Sequence, residues 1–328
     1  MLTIAFAGDV MLGRLVNDRL RKMQPEQIWG DVLPHLAQSG LRIVNLECAL
    51  TRHQKQWMRT EKMFHFRADP EAVRVLQAAH IDACTLANNH VLDFETQGLL
   101  DTLSVLDSAG IHHAGAGANA NQASSPAIIG TSGAEPSRVA LLSYTDNEPE
   151  FASSAEQAGT NYLEVALDEA TLARIANDIA RARAQGADLV VFSNHWGANF
   201  VERPSEEFRS FARRVIELGA DIYHGHSAHI CQGIEIYQGK PILYDTGNFI
   251  DDYAVDPLLR NDRSCLFRLV FDERRLCRIE LLPVSLSVAQ VALARGPEFE
   301  AICERMLMLC AEFGTALTRS DDRLVYTP

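Results

Sequence analysis

A chain of 328 residues, 47% of them hydrophobic, is long enough to bury a substantial core and reads as globular. Its 43 acidic against 30 basic side chains leave a net charge of -13, which excludes a basic face for a phosphate backbone and argues against a nucleic-acid partner. A small or metal-neutralised substrate fits that balance, and no apolar run approaches the roughly 18 residues of a membrane span.

The segment Met1 to Asp9 has no basic region and meets a charge before an apolar signal core could form, so a soluble, cytoplasmic protein is expected. The seven cysteines are odd in number, lack a C-x-x-C pair and sit mostly in apolar patterns, which predicts buried thiols.

In chain order, the apolar patterns predict strands over 2–7 and 41–46, then a helix over 70–79 that Asp69 would cap and Pro70 would open. A strand over 81–86 and a helix over 97–108, stopped at Gly110, follow. Next come a strand over 139–144, a helix over 168–185 begun by Asp168, a strand over 188–193 and a helix over 205–218 ending at Gly219. Strands over 221–224 and 241–244 complete an alternation typical of βαβ units. Beyond residue 250 the pattern changes: 264–272 and 275–283 alternate across Asp272-Glu273-Arg274 as an antiparallel hairpin, so mixed sheets are expected. Residues 296–313 place Phe299, Ile302, Met306, Leu309 and Phe313 at helical spacing, as for a terminal helix packed on the core. Loops 51–65 and 113–136 are the long breaks, and neither reads as an interdomain linker, so one domain over 1–328 is expected.

Histidines, carboxylates and amides recur where these strands end. Asp9, Glu47, Asn89 with His90, His195, His226 and His229 follow separate strands or their loops, and strand ends converge on one crevice in an open α/β sheet. Imidazole with carboxylate suits Zn, Mn, Fe or Ni, whereas an all-oxygen set would suit Mg or Ca. His226 and His229 lie three residues apart in a turn and can aim at one centre. Asn89 offers a carbonyl oxygen, and the adjacent His90 could act as acid or base. Asp245-Thr246-Gly247-Asn248-Phe249 ends another strand in small and polar residues, consistent with close backbone approach and with Asn248 at the substrate. Arg14 and Arg203 could fork onto an anionic group, and Trp196 could wall the pocket.

Seven ordered motifs carry a resemblance to a known family. They are Gly8-Asp9-Val10-Met11-Leu12-Gly13-Arg14, Asn45-Leu46-Glu47, Ala87-Asn88-Asn89-His90, Gly115-Ala116-Gly117, His195-Trp196-Gly197, Gly225-His226-Ser227-Ala228-His229 and Tyr244-Asp245-Thr246-Gly247-Asn248-Phe249. Over residues 3 to 285 the chain resembles the CapA-type poly-gamma-glutamate capsule synthesis proteins, with 286–328 as a C-terminal helix and tail. That family looks like a branch of the calcineurin-like metallophosphoesterases, which implies a four-layer α/β/β/α sandwich with mixed sheets. It also implies one or two divalent transition ions (Mn, Zn or Fe) at the strand ends. By position, the resemblance makes Asp9, Glu47, Asn89, His195, His226 and His229 metal ligands and His90 the catalytic histidine.

Two departures bear on the ions. Met11 stands where the Asp-x-His pattern would have a histidine, and Glu47 replaces a shorter bridging aspartate. Both leave room for a single tightly held ion, with Glu47, Asn89, His195 and His226 as the better site and Asp9 with His229 as the poorer. The resemblance implies hydrolysis of a phosphoester or of an amide-linked glutamate polymer or peptide, with His90 moving the proton. Asp9, freed from metal, and a histidine could instead serve an epimerase acting at a peptide α-carbon. A third reading is a non-catalytic, metal-containing component of capsule synthesis.

Overall fold

Two β-sheets face each other because apolar side chains alternate along their strands. In the computed structural model, which describes residues 1–131 and 136–328, the strand Leu2–Val10 sends Ile4 and Phe6 to one core and Ala5 and Ala7 to another. Leu41–Leu46 divides Ile43 from Val44 in the same way. From the second sheet, Val139 and Leu141 of Arg138–Thr145 and Val191 of Leu189–His195 join Ile4, Phe6 and Ile43 between the sheets. Their neighbours Ala140, Leu142, Val190 and Phe192 point outward to Ile175 and Ile179 of Glu169–Ala184 and to Phe211 and Val215 of Glu206–Glu217. On the opposite outer face Val44 and Leu46 meet Val75, Leu99 and Leu106 from Val73–Ala78 and Glu95–Ala109. The layers therefore run helix, sheet, sheet, helix, the four-layer α/β/β/α sandwich expected above.

The first sheet runs Thr318–Ser320, Arg323–Tyr326, Arg275–Ser287, Arg263–Asp272, Leu2–Val10, Leu41–Leu46, Ala83–Thr85, His112–Ala114. It is parallel from Leu2–Val10 to His112–Ala114 and antiparallel on the other side, where the expected hairpin lies. The second sheet runs Ile234–Tyr237, Lys240–Leu243, Ile222–His226, Leu189–His195, Arg138–Thr145, Ala127–Gly130, with parallel inner strands and antiparallel edges. Register brings the polar tips side by side: Asp9 pairs with Asn45 and Asn248, and His195 with His226.

The chain crosses between the sheets at those tips. Lys240–Leu243 belongs to the second sheet, while Asn248–Ile250 pairs with the end of Leu2–Val10 in the first. The crossing is close enough to require bare glycines. A Cβ on Gly8 would lie 1.8 Å from the Gly247 carbonyl oxygen, and one on Gly225 would lie 2.0 Å from that of Tyr244.

Helices follow their sequence signals with one exception. The Asp168 carboxylate accepts from the amides of Ala170 and Thr171 at 2.9 and 3.0 Å, and Ser205 accepts from Phe208 at 3.3 Å. Asp69 caps nothing; its carboxylate is drawn to Arg21 at 3.1 Å and Asn17 at 3.3 Å, and a short 3-10 turn, Pro70–Ala72, precedes Val73–Ala78. Short helices Arg14–Leu20, Pro25–Trp29 and Leu33–Ala37 occupy a stretch given no element from sequence. Within the expected loop 113–136, Ala116–Gly117, Ala120–Ala123 and Ala127–Gly130 are regular, and 132–135 lie outside the described residues. Loop 51–65 is closed at its neck, where Ala49–Leu50 pairs with Arg67–Ala68. The terminal helix, Pro297–Ala311, buries Ile302 and Met306 between the sheets, and Phe313 packs against the outer core of the second sheet. Cysteines 48, 84, 231, 265, 303 and 310 are buried, Cys277 is partly buried, and all seven are free thiols. Among the described residues no helix is long and apolar enough to cross a membrane.

Candidate metal centre

Asp9 sits at the tip of its strand between two groups of potential ligands. Ligand atoms of Asp9, His195 and His226 lie within 4.8 Å of one another, and so do those of Asp9, Glu47 and His229. One Asp9 oxygen is 3.7 Å from His226 Nδ1 and the other is 3.3 Å from His229 Nδ1. His195 Nε2 lies 3.7 Å from Glu47 Oε1, and the Nδ1 atoms of His195 and His226 are 2.9 Å apart. The sequence reading set Asp9 and His229 apart from Glu47, Asn89, His195 and His226; the distances keep His195 beside Glu47 and also place Asp9 near both His226 and His229. Asp9 is common to both groups because its two oxygens face opposite ways.

The donors are set by a surrounding polar frame. Asn45 donates to Asp9 Oδ1 at 2.8 Å and accepts from Thr85 and Asn88, each at 3.0 Å. Asn88 accepts from the amides of His90 and Val91 at 3.0 and 3.1 Å, shaping the turn that carries Asn89. The Ser193 hydroxyl lies 3.0 Å from His226 Nε2 and 2.9 Å from His224 Nδ1, leaving His226 Nδ1 turned toward the cluster. Asn248 Oδ1 lies 2.9 Å from His229 Nδ1, and the Tyr253 hydroxyl donates to Glu47 Oε2 at 3.1 Å. Supporting bonds of this kind orient metal ligands.

The frame leaves four atoms of these residues unanswered. Asp9 Oδ2, Glu47 Oε1, Asn89 Oδ1 and His195 Nε2 are buried and make no hydrogen bond among the described residues. Each such atom costs about 1–3 kcal/mol, and four at neighbouring strand tips fit a cation that takes oxygen and imidazole nitrogen together. Met11 adds no ligand, since its sulfur accepts from the Gly13 amide at 3.0 Å.

Protonation follows the same geometry. Burial works against a charged Asp9, but the neighbouring His229 and His195 outweigh it and hold the carboxyl below its usual range. Burial, then the neighbouring Asp9, pushes Glu47 well above its own. Burial takes His195 down to about 3 and, with His224 and His195 beside it, keeps His226 well below the ordinary imidazole range. Burial also opposes a charge on His229, yet Glu47 and Asp9 raise it to about 10.

His90 has a different set of partners. In the tautomer that donates from Nδ1, it bonds Asp93 Oδ2 at 2.6 Å, and its ring stacks on Phe66 with centroids 4.0 Å apart. The Phe66 amide donates to the same Asp93 oxygen at 2.6 Å. The Lys62 side chain, 5% exposed, lies 3.4 Å from Asp93 Oδ1 and donates to the Asn89 carbonyl at 2.5 Å and to Glu148 at 3.1 Å. Burial lifts Asp93 to about 7 against the pull of Lys62, and burial followed by the Lys62 charge lowers His90 well below its usual range. His90 and His229 both line a cavity of about 390 Å³, and so does Arg14.

The other sequence candidates lie in other places. Arg203, 45% exposed, forks onto Glu312 at the end of the terminal helix, with bonds of 2.8 to 3.1 Å, and does not line the His90 cavity. Trp196 donates to the Tyr244 carbonyl at 3.0 Å and, with Phe208 and Ala228, lines a smaller cavity of about 190 Å³. Sequence reasoning missed Asn45, Lys62, Asp93, Ser193 and Tyr253. Asp93 had a usable signal, three residues after His90; the others depend on pairings across strands and loops.

The chain is similar to bacterial proteins over most or all of its length. A probable polyglutamine synthesis accessory protein of Mycobacterium tuberculosis (strain H37Rv) is 29% identical over 373 residues, covering 100% of this chain and 96% of the relative. The capsule biosynthesis protein CapA of Bacillus anthracis is 29% identical over 325 residues, covering 98% and 77%, and the PGA biosynthesis protein CapA of Bacillus subtilis is 28% identical over 293, covering 89% and 73%. Among solved structures, a 5'-nucleotidase of Candida albicans aligns with a TM-score of 0.45 at 11% identity, covering 84% of this chain and 48% of that one. A sulfate thiohydrolase of Thermus thermophilus aligns with a TM-score of 0.44 at 13% identity, covering 87% and 46%. The family model described as bacterial capsule synthesis protein PGA_cap matches residues 3–253, and the chain belongs to that family.

Proposed function

We propose that this protein is a metal-dependent hydrolase that acts on an amide-linked glutamate chain or a related phosphoester, with His90 as acid and base. The observation that carries the reading is the set of four buried, unpartnered atoms on Asp9, Glu47, Asn89 and His195 beside a histidine held by its own carboxylate. Asp9, Glu47, Asn89, His195, His226 and His229 would hold one or two ions of Mn, Zn or Fe. Such an ion supplies Lewis acidity to a carbonyl or phosphoryl oxygen and to an attacking water.

The chain's own residues do the rest. Asp93 fixes the His90 tautomer, so Nε2 is the nitrogen free to exchange a proton in the cavity. In amide hydrolysis water adds at the carbonyl carbon and gives a proton to His90 Nε2, which passes it to the departing amine as the C–N bond breaks. The glutamate substrate comes from the relatives, whose names place them in capsule, PGA or polyglutamine synthesis. The word "accessory" in the mycobacterial name favours a second reading, a metal-containing component without turnover.

One substitution separates the two. His90→Gln should lower turnover of poly-gamma-glutamate, followed by release of free amines, by about 10²–10⁴-fold while metal per chain stays constant. Wild-type protein loaded with Mn, Zn or Fe that releases no amine from poly-gamma-glutamate and no phosphate from phosphoesters would favour the component.

A further inference from the structure

The cavity that holds His90 and His229 answers little of the charge on a polycarboxylate. Phe64, Phe66, Phe200 and Tyr253 wall it, and Arg14, already forked onto Asp252, is the one arginine or lysine among its lining residues. Successive carboxylates laid against aromatic walls would stay unpaired, which is costly, and the protein around them carries a net charge of -13.

A second cavity, of about 560 Å³, has the opposite lining. Arg21, Lys22, Arg52 and Arg74 line it against two carboxylates, Asp69 and Glu71. Those two are answered within the protein: Asp69 accepts from Arg21 at 3.1 Å and from Asn17 at 3.3 Å, and Glu71 pairs with Arg52. Asp18, outside the lining, reaches Arg21 at 3.7 Å. The side chains of Lys22 and Arg74 are exposed and have no hydrogen-bond or ion-pair partner among the described residues. The cleft therefore keeps two unspent cations in an acidic protein.

The two cavities lie at opposite ends of one helix. Arg14, which opens Arg14–Leu20, lines the metal cavity, while Leu20 and the following Arg21 line the basic one. Seven helical residues span about 10 Å. The strand Arg67–Ala68 makes the same step: Phe66 before it lines the metal cavity and Asp69 after it lines the basic cleft.

We propose that the basic cleft is a second binding site, which takes carboxylates of an acidic chain beyond the units held in the metal cavity, with Lys22 and Arg74 as its contacts. The inference rests on the glutamate-chain substrate of the hydrolase reading and adds a site that grips the chain without acting on it. The test is calorimetric titration of the metal-supplemented His90→Gln full chain, whose slowed turnover keeps the probe intact. The probes are di-gamma-glutamate, which supplies only the two units flanking one bond, and deca-gamma-glutamate.

Lys22→Glu combined with Arg74→Glu should weaken the decamer roughly tenfold or more and leave the dimer unchanged. Lys22→Gln with Arg74→Gln, which introduces no new charge, should lose part of that affinity, and added salt should shrink the decamer's advantage. Decamer affinity unchanged in both double variants overturns the proposal, as does binding of neither peptide before these changes. An equal loss on reversing two exposed arginines elsewhere, Arg138 and Arg319, would reduce the effect to net charge and also overturn it. An oligonucleotide of matched charge that binds as tightly as the decamer would overturn the assignment of a carboxylate chain. Dimer affinity reports an intact metal cavity in each variant, and the neutral pair keeps the test open if the reversed pair fails to fold. Binding is read without turnover, so a failure here is distinct from a failure of the hydrolase reading, which shows in the amine-release assay.

Discussion

The two ends of the strand Ile222–His226 treat buried polar groups in opposite ways. Just before its start, Asp221 is buried and fully answered: its carboxylate accepts from the Val190 amide at 2.8 Å and from Arg183, with Lys240 at 3.4 Å and Arg274 at 3.6 Å. At its far end, His226 belongs to a cluster in which Asp9 Oδ2, Glu47 Oε1 and His195 Nε2 have no hydrogen-bond partner among the described residues. Both are charged or ligating groups inside one sheet, so burial alone does not mark a site. The difference is completeness: Asp221 closes its own network, while the far end leaves buried oxygen and nitrogen atoms without partners among the described residues.

Substitutions should separate the two ends. The largest stability effect is expected at the closed one, where Asp221→Ala would strand Arg183 and leave the Val190 amide without its carboxylate. Chemical denaturation should show a loss of about 3–5 kcal/mol, with metal per chain in the folded protein unchanged. A smaller effect of the opposite kind is expected from Ser193→Ala, which frees the His226 and His224 rings. It should weaken metal affinity by roughly 10–100-fold in a chelator competition and change denaturation little. If Ser193→Ala instead lost stability and kept its affinity, the two ends would be alike. The smallest effect belongs to Arg203→Ala, whose exposed pair with Glu312 lies outside both networks. Its Tm, metal content and turnover should match the wild type.

The same contrast explains what the sequence made legible. Strand cores announced themselves by alternation, and strand tips by the abrupt change to His, Asp, Glu and Asn, so the placement of His195, His226 and Asp9 at strand ends could be read from the sequence. Their grouping could not, because it depends on register and on the two faces of one carboxylate. Asn45 and Ser193 serve through bonds to neighbouring strands, and nothing local marks a serine inside Leu189–His195 as the support of a histidine 33 residues later. Lys62 lies in the irregular stretch 51–65, and its burial comes from packing against residues brought there by both sheets. The edge strand Thr318–Ser320 is polar throughout and Arg323–Tyr326 is only four residues long; the first forms by pairing with the second and the second by pairing with Arg275–Ser287, so neither stood out in the sequence. Asp69 shows the reverse case, a correct local cap signal overridden by Arg21.

Elemental analysis of the purified wild type beside Asp9→Asn, after supplementation with Mn, Zn or Fe, tests the central claim most directly. Asp9 is common to both ligand groups, so the wild type should hold at least one transition ion per chain and Asp9→Asn should lose all of it while remaining folded. A wild type that stays free of metal, or an Asp9→Asn protein that keeps the full complement, would contradict a centre built around Asp9.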